Sequence, residues 1–238
     1  MKTIFNHELV GWTNFNDNQL LRCPEHKKLE ANIILSMPKN SSFLDVGAHY
    51  GDTVFTMALF AKHNNREDIR FFAFEPNEKK YQHIKHIVKL NRLNITVFQT
   101  CVGYVRGKAS NDNVVPSFTG ATSYKLNQDG EYDIIRLDDI EQKISPIGCA
   151  HIDAEGWDCH VLKGMENILQ NKQNKGMHII VECWNDNTAE DQVRKGRGVG
   201  VSTGTPERDI TNELGKYQHI TFVGKFKDMD CNLMFRFD

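Results

Sequence analysis

The chain has 238 residues, 39% hydrophobic and 25% charged, enough for one soluble globular domain with a full core and with no linker-like stretch to divide it. A net charge of -2 and a pI near 6.6 give no general pull toward polyanions, which argues against a nucleic-acid partner. No apolar run approaches a membrane helix, no signal-peptide core follows residues 1–8, and Cys23, Cys101, Cys149, Cys159, Cys183 and Cys231 form no C-x-x-C pair, so a cytoplasmic protein with reduced thiols is expected, without a membrane, zinc-knuckle or redox-dithiol role.

Residues 1–40 read as an N-terminal cover, with a helix over 24–37 whose Leu29, Ile33, Ile34 and Met37 share one face. Phe43-Leu44 then leads into Asp45-Val46-Gly47-Ala48-His49-Tyr50-Gly51, and a helix opens at Thr53. A strand, a glycine-rich turn and a helix start form a cradle for a nucleotide-like cofactor, because glycine lets the backbone approach the ligand; an ordinary tight turn would look similar. Asp45 narrows the choice. In the dinucleotide fingerprint a glycine stands there and another at Tyr50, whereas a carboxylate repels phosphate and suits a cationic ligand such as S-adenosylmethionine, with its ammonium and sulfonium. A buried strand over 70–74 ends in Glu75-Pro76-Asn77, ahead of a helix with Tyr81, Ile84 and Val88 on one face and His83 and His86 on its solvated side. Glu75 stands where ribose hydroxyls are bound, and a carboxylate there also suits a helix N-terminus.

A third strand over 95–99 is followed by a turn-rich stretch and then by a loop or small hairpin over 108–130, ending near 132–137. Asp138-Asp139 starts a short helix, and 149–153 is a fourth core strand. After Gly156, Trp157, Val161, Leu162, Met165, Ile168 and Leu169 fall at helical spacing, and 177–182 is a fifth strand. Residues 185–215 read as a charged flap insertion whose Lys195-Gly196-Arg197 run lacks a strand leading into it. Segments 219–223 and 231–237 form an antiparallel pair that finishes the sheet. The whole predicts an α/β fold, a mostly parallel sheet with helices on both faces and a C-terminal antiparallel strand.

Phe43 to Thr53, Phe74-Glu75-Pro76-Asn77, Leu137-Asp138-Asp139-Ile140, His151-Ile152-Asp153-Ala154-Glu155-Gly156 with Val161-Leu162-Lys163-Gly164, and Ile179-Ile180-Val181-Glu182 together resemble the FkbM family of S-adenosylmethionine-dependent O-methyltransferases. The resemblance runs from about Ser42 to Glu182. It implies a Rossmann-like class I methyltransferase fold with a seven-stranded sheet, and methyl transfer to hydroxyls, with sugars and polyketide-type products among the acceptors. It also implies that Asp45, Gly47, Ala48, His49 and Gly51, with Thr53 closing the motif, line the methionine end of the cofactor. Glu75, Pro76 and Asn77 would take the ribose, and Cys101 and Val102 the adenine. His49 and His151 depart from the family's usual Asn and Lys.

Methyl transfer is an in-line displacement, and an alcohol reacts poorly until its proton is taken. Asp153, at the carboxyl end of a core strand and in reach of the cofactor, is a general base or a metal ligand, and His151, two residues earlier and expected to point the same way, is the other candidate base. Glu182 and Asn185 or Asp186 would complete an oxygen-rich site for Mg or Mn. Glu155 reads as structural and Trp157 as core, while Trp12 and Trp184 are placed to stack on a sugar. The leading expectation is an O-methyltransferase for a glycan or deoxysugar hydroxyl. The alternatives are a methyltransferase for nucleic acid or for another small natural product, and a non-catalytic S-adenosylmethionine-binding module. The sequence lacks the N/D-P-P-Y and Pro-Cys segments of base methylases, although the basic run at Lys195 is compatible with a nucleic-acid partner.

Overall fold

A computed structural model describes residues 24–111, 124–183, 205, 207–227 and 231–238 of the chain. Helix α1 (Pro24–Ser36) precedes β1 (Ser42–Val46), α2 (Asp52–His63), β2 (Arg70–Phe74), α3 (Glu78–Asn91) and β3 (Ile95–Phe98). Short strands β4 (Cys101–Val102), β5 (Gly107–Asn111), β6 (Tyr124–Leu126) and β7 (Tyr132–Ile135) follow. A 3-10 turn (Leu137–Ile140) enters α4 (Glu141–Ile144), and then come β8 (Ile147–Ile152), α5 (Asp158–Lys163), α6 (Glu166–Gln170), β9 (His178–Cys183), α7 (Glu207–Leu214), β10 (Ile220–Lys227) and β11 (Cys231–Phe237).

The main sheet has seven strands in the order β10-β11-β9-β8-β1-β2-β3. β9, β8, β1, β2 and β3 pair in parallel, and β11 lies antiparallel between β9 and β10. The expected α/β architecture is therefore present, with the last strand inserted one place in from the edge. Alternation along the strands sorts the core into two layers. Phe43, Phe71, Ala73 and Cys149 pack with α1, α2 and α3, whereas Leu44, Phe72, Ala150 and Ile152 pack with α5, α6 and α7. The chain runs outward from β1 to β3 and returns as β8 on the other side of β1. Strand order reverses there, and the crevice beyond the carboxyl ends of β1 and β8 is where open α/β sheets hold ligands.

Of the local expectations, the small hairpin is present as β5 and β6, which pair antiparallel and join β4 and β7 in a second, four-stranded sheet, while two others change. The helix expected after Gly156 is two helices, α5 and α6, broken at Gly164, where an added Cβ would lie 2.1 Å from the Gly103 carbonyl oxygen. Within the range expected as a flap, residues 207–214 form α7, which buries Ile210 and Leu214 in the core. Four-residue spacing of those two apolar residues is a helical signal hidden by the polar residues around them. Among the described residues no helix is long and apolar enough to cross a membrane, and Cys101, Cys149, Cys159 and Cys183 are free thiols.

Candidate active site

The loop after β1 is held from both sides. Gly47 and Ala48 donate their amides to the Phe74 carbonyl at the end of β2 (3.0 and 3.1 Å), and the Asp153 amide donates to the Val46 carbonyl (3.0 Å). Gly47 sits at φ +85° with its α-carbon pressed against the chain after β8, so that an added Cβ would lie 1.8 Å from the Asp153 carbonyl oxygen. Only glycine fits such a position. Gly47→Ala is expected to destabilise the protein by about 3 kcal/mol or more, from left-handed strain plus overlap, and thermal or denaturant unfolding checks this. His49 also lies in the left-handed region, at φ 51°.

Asp45 is 1% exposed and lies beneath this loop. One oxygen accepts from the Val54 amide in the first turn of α2 (3.1 Å), and the other is 3.0 Å from His151 Nδ1. His151 is 7% exposed, and its Nε2 stands 3.6 Å from Glu30 Oε1 on α1. The structure therefore directs His151 under the loop, between two carboxylates. Both ring nitrogens thus face carboxylates beneath the loop, and His151 also lies near enough to Asp153 for its charge to lower the pKa of that carboxyl. Sequence reading missed Glu30, which looked like one polar residue on a covering helix; its place on the face that also carries Ile33, Ile34 and Met37 was the available signal.

Glu75 is 4% exposed. It accepts from the His49 amide (2.9 Å) and from the Asn77 amide (2.8 Å), so the end of β2 and the glycine loop share one carboxylate. Burial pushes it up to about 7, with the nearby Lys80 ammonium opposing. Asn77 caps α3 by accepting from the Lys80 amide (3.2 Å). The Lys80 side chain is buried, with its ammonium 5.9 Å from the Tyr50 ring centroid. Burial lowers the Lys80 pKa, while the charges of Glu75, Glu155 and Asp153 work the other way. Lys80 is a second residue that sequence reading passed over, and its signal was its position three residues after the cap. His83, expected to be solvated, is half-buried edge-on against Tyr50 at 5.4 Å, and burial lowers its pKa.

Cys101 and Val102 are buried beside this carboxylate. Burial, reinforced by the charge of Glu75, pushes the Cys101 thiol up to about 12, so it is a neutral apolar wall and not a nucleophile. Cys101 packs with Ala109, Ile134, Tyr124 and Trp157, which makes the second sheet one side of the crevice.

Asp153 and Glu182 bring their carboxyl groups together at the ends of β8 and β9. Burial raises both, Glu182 further because the charge of Asp153 adds to it, whereas the contact with Glu182 works the other way on Asp153. The following turn is fixed by the fully buried Asp158, which accepts from the Ala154 amide (2.8 Å) and the Thr205 hydroxyl (2.7 Å). Asn185, the third expected metal ligand, lies outside the described residues, as do Asp186, Trp12, Trp184 and the basic run at Lys195. Among the described residues no group of three or more His, Cys, Asp or Glu side chains can hold a metal ion.

A family model, the methyltransferase FkbM domain, matches residues 45–195. Among solved structures, a SAM-dependent methyltransferase from Aquifex aeolicus is similar in fold at 12% identity and a TM-score of 0.52, with 94% of each chain covered. A proposed O-methyltransferase from Klebsiella pneumoniae (10% identity, TM-score 0.53, 90% of this chain and 80% of that chain) and a proposed rRNA methylase from Clostridium thermocellum (10% identity, TM-score 0.51, 88% and 93%) are similar in fold as well. No curated protein matches the chain.

Proposed function

This chain belongs to the FkbM methyltransferase family and uses S-adenosylmethionine as methyl donor, and we propose that it methylates a hydroxyl of a glycan or deoxysugar, with Asp153 as general base. The observation that carries the base assignment is the carboxyl pair of Asp153 and Glu182 at the mouth of the crevice. The acceptor class rests on the family resemblance and the location on the free thiols, which suit a reducing cytoplasm.

The residues fit the donor. Gly47, packed against the chain after β8, lets the loop turn tightly over the buried Asp45, and the methionine end would lie against this loop beside Ala48, His49 and Gly51. Glu75, braced by two backbone amides, keeps acceptor capacity for the ribose hydroxyls, with Pro76 and Asn77 at its side, and Cys101 and Val102 supply an apolar wall for the adenine. When bound, S-adenosylmethionine supplies an electrophilic methyl on a sulfonium, which an acceptor oxygen displaces in line. Asp153 takes the hydroxyl proton as that oxygen attacks. Glu182 holds its own proton and donates to Asp153, which fixes the base in place.

A screen of sugars for release of S-adenosylhomocysteine tests the acceptor class, and activity on RNA alone would overturn it. Donor binding should depend on pH. Ribose hydroxyls donating to Glu75 favour its ionised form, so binding releases a proton as Glu75 moves from a pKa of about 7 to a lower one. Affinity for S-adenosylhomocysteine is therefore expected to fall by up to about tenfold per pH unit below that value, as measured by calorimetry between pH 5.5 and 8.5. A flat profile would count against the ribose role.

A further inference from the structure

Helix α1 precedes the segment that the family model covers, yet it brings a buried carboxylate to the glycine loop. Glu30 has no exposed surface. Its Oε1 lies 3.6 Å from His151 Nε2, within ion-pair reach and beyond a hydrogen bond, and His151 Nδ1 lies 3.0 Å from Asp45 Oδ1. The other Asp45 oxygen accepts from the Val54 amide at the start of α2 (3.1 Å). This path joins four elements, α1, β8, β1 and α2, directly under the loop.

Docking of α1 does not explain Glu30. The helix already buries Ala31, Ile33, Ile34 and Met37, and the Arg66 guanidinium holds its last turn through the carbonyls of Ile34, Leu35 and Met37 at 2.8 to 2.9 Å. A carboxylate buried beside these is costly unless it has a charged or hydrogen-bonding partner, and an apolar residue would dock the helix as well. What Glu30 adds is direction. The Glu30 carboxylate beside Nε2 favours the ring orientation in which Nδ1 meets Asp45, whose two oxygens tie the end of β1 to the start of α2.

We propose that Glu30 and His151 are positioning residues for the cofactor loop, so that affinity for the methyl donor depends on a helix outside the family domain. The proposal rests on the donor assignment above. Calorimetric titration with S-adenosylhomocysteine and thermal melts of the full chain test it, on wild type, Glu30→Gln, His151→Asn, the double variant, and Ile33→Val as a packing control. Each single polar substitution is expected to weaken binding about tenfold, with the double no weaker than the worse single, because both break one path. Ile33→Val should lower the melting temperature and leave affinity unchanged. Unchanged affinity in Glu30→Gln, losses that multiply in the double variant, or losses that follow the melting temperature through Ile33→Val would each overturn the proposal. A folded wild type that binds no S-adenosylhomocysteine would overturn the donor assignment itself, which separates the two failures.

Discussion

Replacing Glu75 with alanine is expected to weaken S-adenosylhomocysteine binding by about 100-fold or more and to leave the fold intact. The carboxylate is anchored by the amides of His49 and Asn77, which leaves its remaining lone pairs as the natural acceptors for two ribose hydroxyls. Hydrogen bonds to a charged group are worth roughly 1.5–3 kcal/mol each, so losing two removes about 3–6 kcal/mol, at about 1.4 kcal/mol per factor of ten. Stability should move little. The folded carboxyl is raised from 4.5 to about 7, so its favourable contribution to the free protein is full below about pH 4.5 and is lost as pH rises through about 7. At pH 8 alanine therefore relieves a buried charge while it sacrifices two backbone partners, and these effects oppose each other. Calorimetric titration beside a thermal melt is the check, and affinity within threefold of wild type would remove Glu75 from the ribose site.

Asp153→Asn is expected to lower kcat by about 1,000-fold at saturating acceptor while S-adenosylhomocysteine affinity stays within a few-fold. General-base catalysis contributes roughly 100- to 10,000-fold, and an amide of the same shape cannot take a proton. The substitution spares the Asp153 carbonyl against which Gly47 packs and the amide that donates to Val46, so the loop keeps its support. Glu182→Gln should cost far less, because its amide can still donate to Asp153. Turnover of Asp153→Asn near the wild-type rate, measured by S-adenosylhomocysteine release on an acceptor from the sugar screen, would exclude the base assignment.

The parts of the site that were legible in the sequence are those carried by contiguous residues. The run from Asp45 to Gly51, the Glu75-Pro76-Asn77 turn and Asp153 each end a short apolar strand, and a strand that ends in a polar or glycine-rich turn can be recognised within a window of ten residues. The alternation of strands and helices likewise implied the parallel sheet and its antiparallel finish. The residues that escaped were those whose partners lie far away in the chain. Glu30 and His151 are separated by 121 positions along the chain, and neither has a local pattern that marks it. Lys80 reads as an ordinary helix lysine, and its burial depends on Tyr50 and Glu75, which lie elsewhere in the fold. Where α7 packs depends on β9 and α5 and not on its own polar sequence.

The sequence by itself determined the class of fold, the family and the order of the cofactor-facing turns, because hydrophobic period and glycine placement act within a few residues. Only the tertiary structure decided that His151 lies between Asp45 and Glu30, that Glu182 meets Asp153, and that α1 reaches the glycine loop through Glu30. Side-chain direction at a strand end and the ionisation of a buried carboxyl depend on the groups packed around them, and those groups are brought together only by long-range folding.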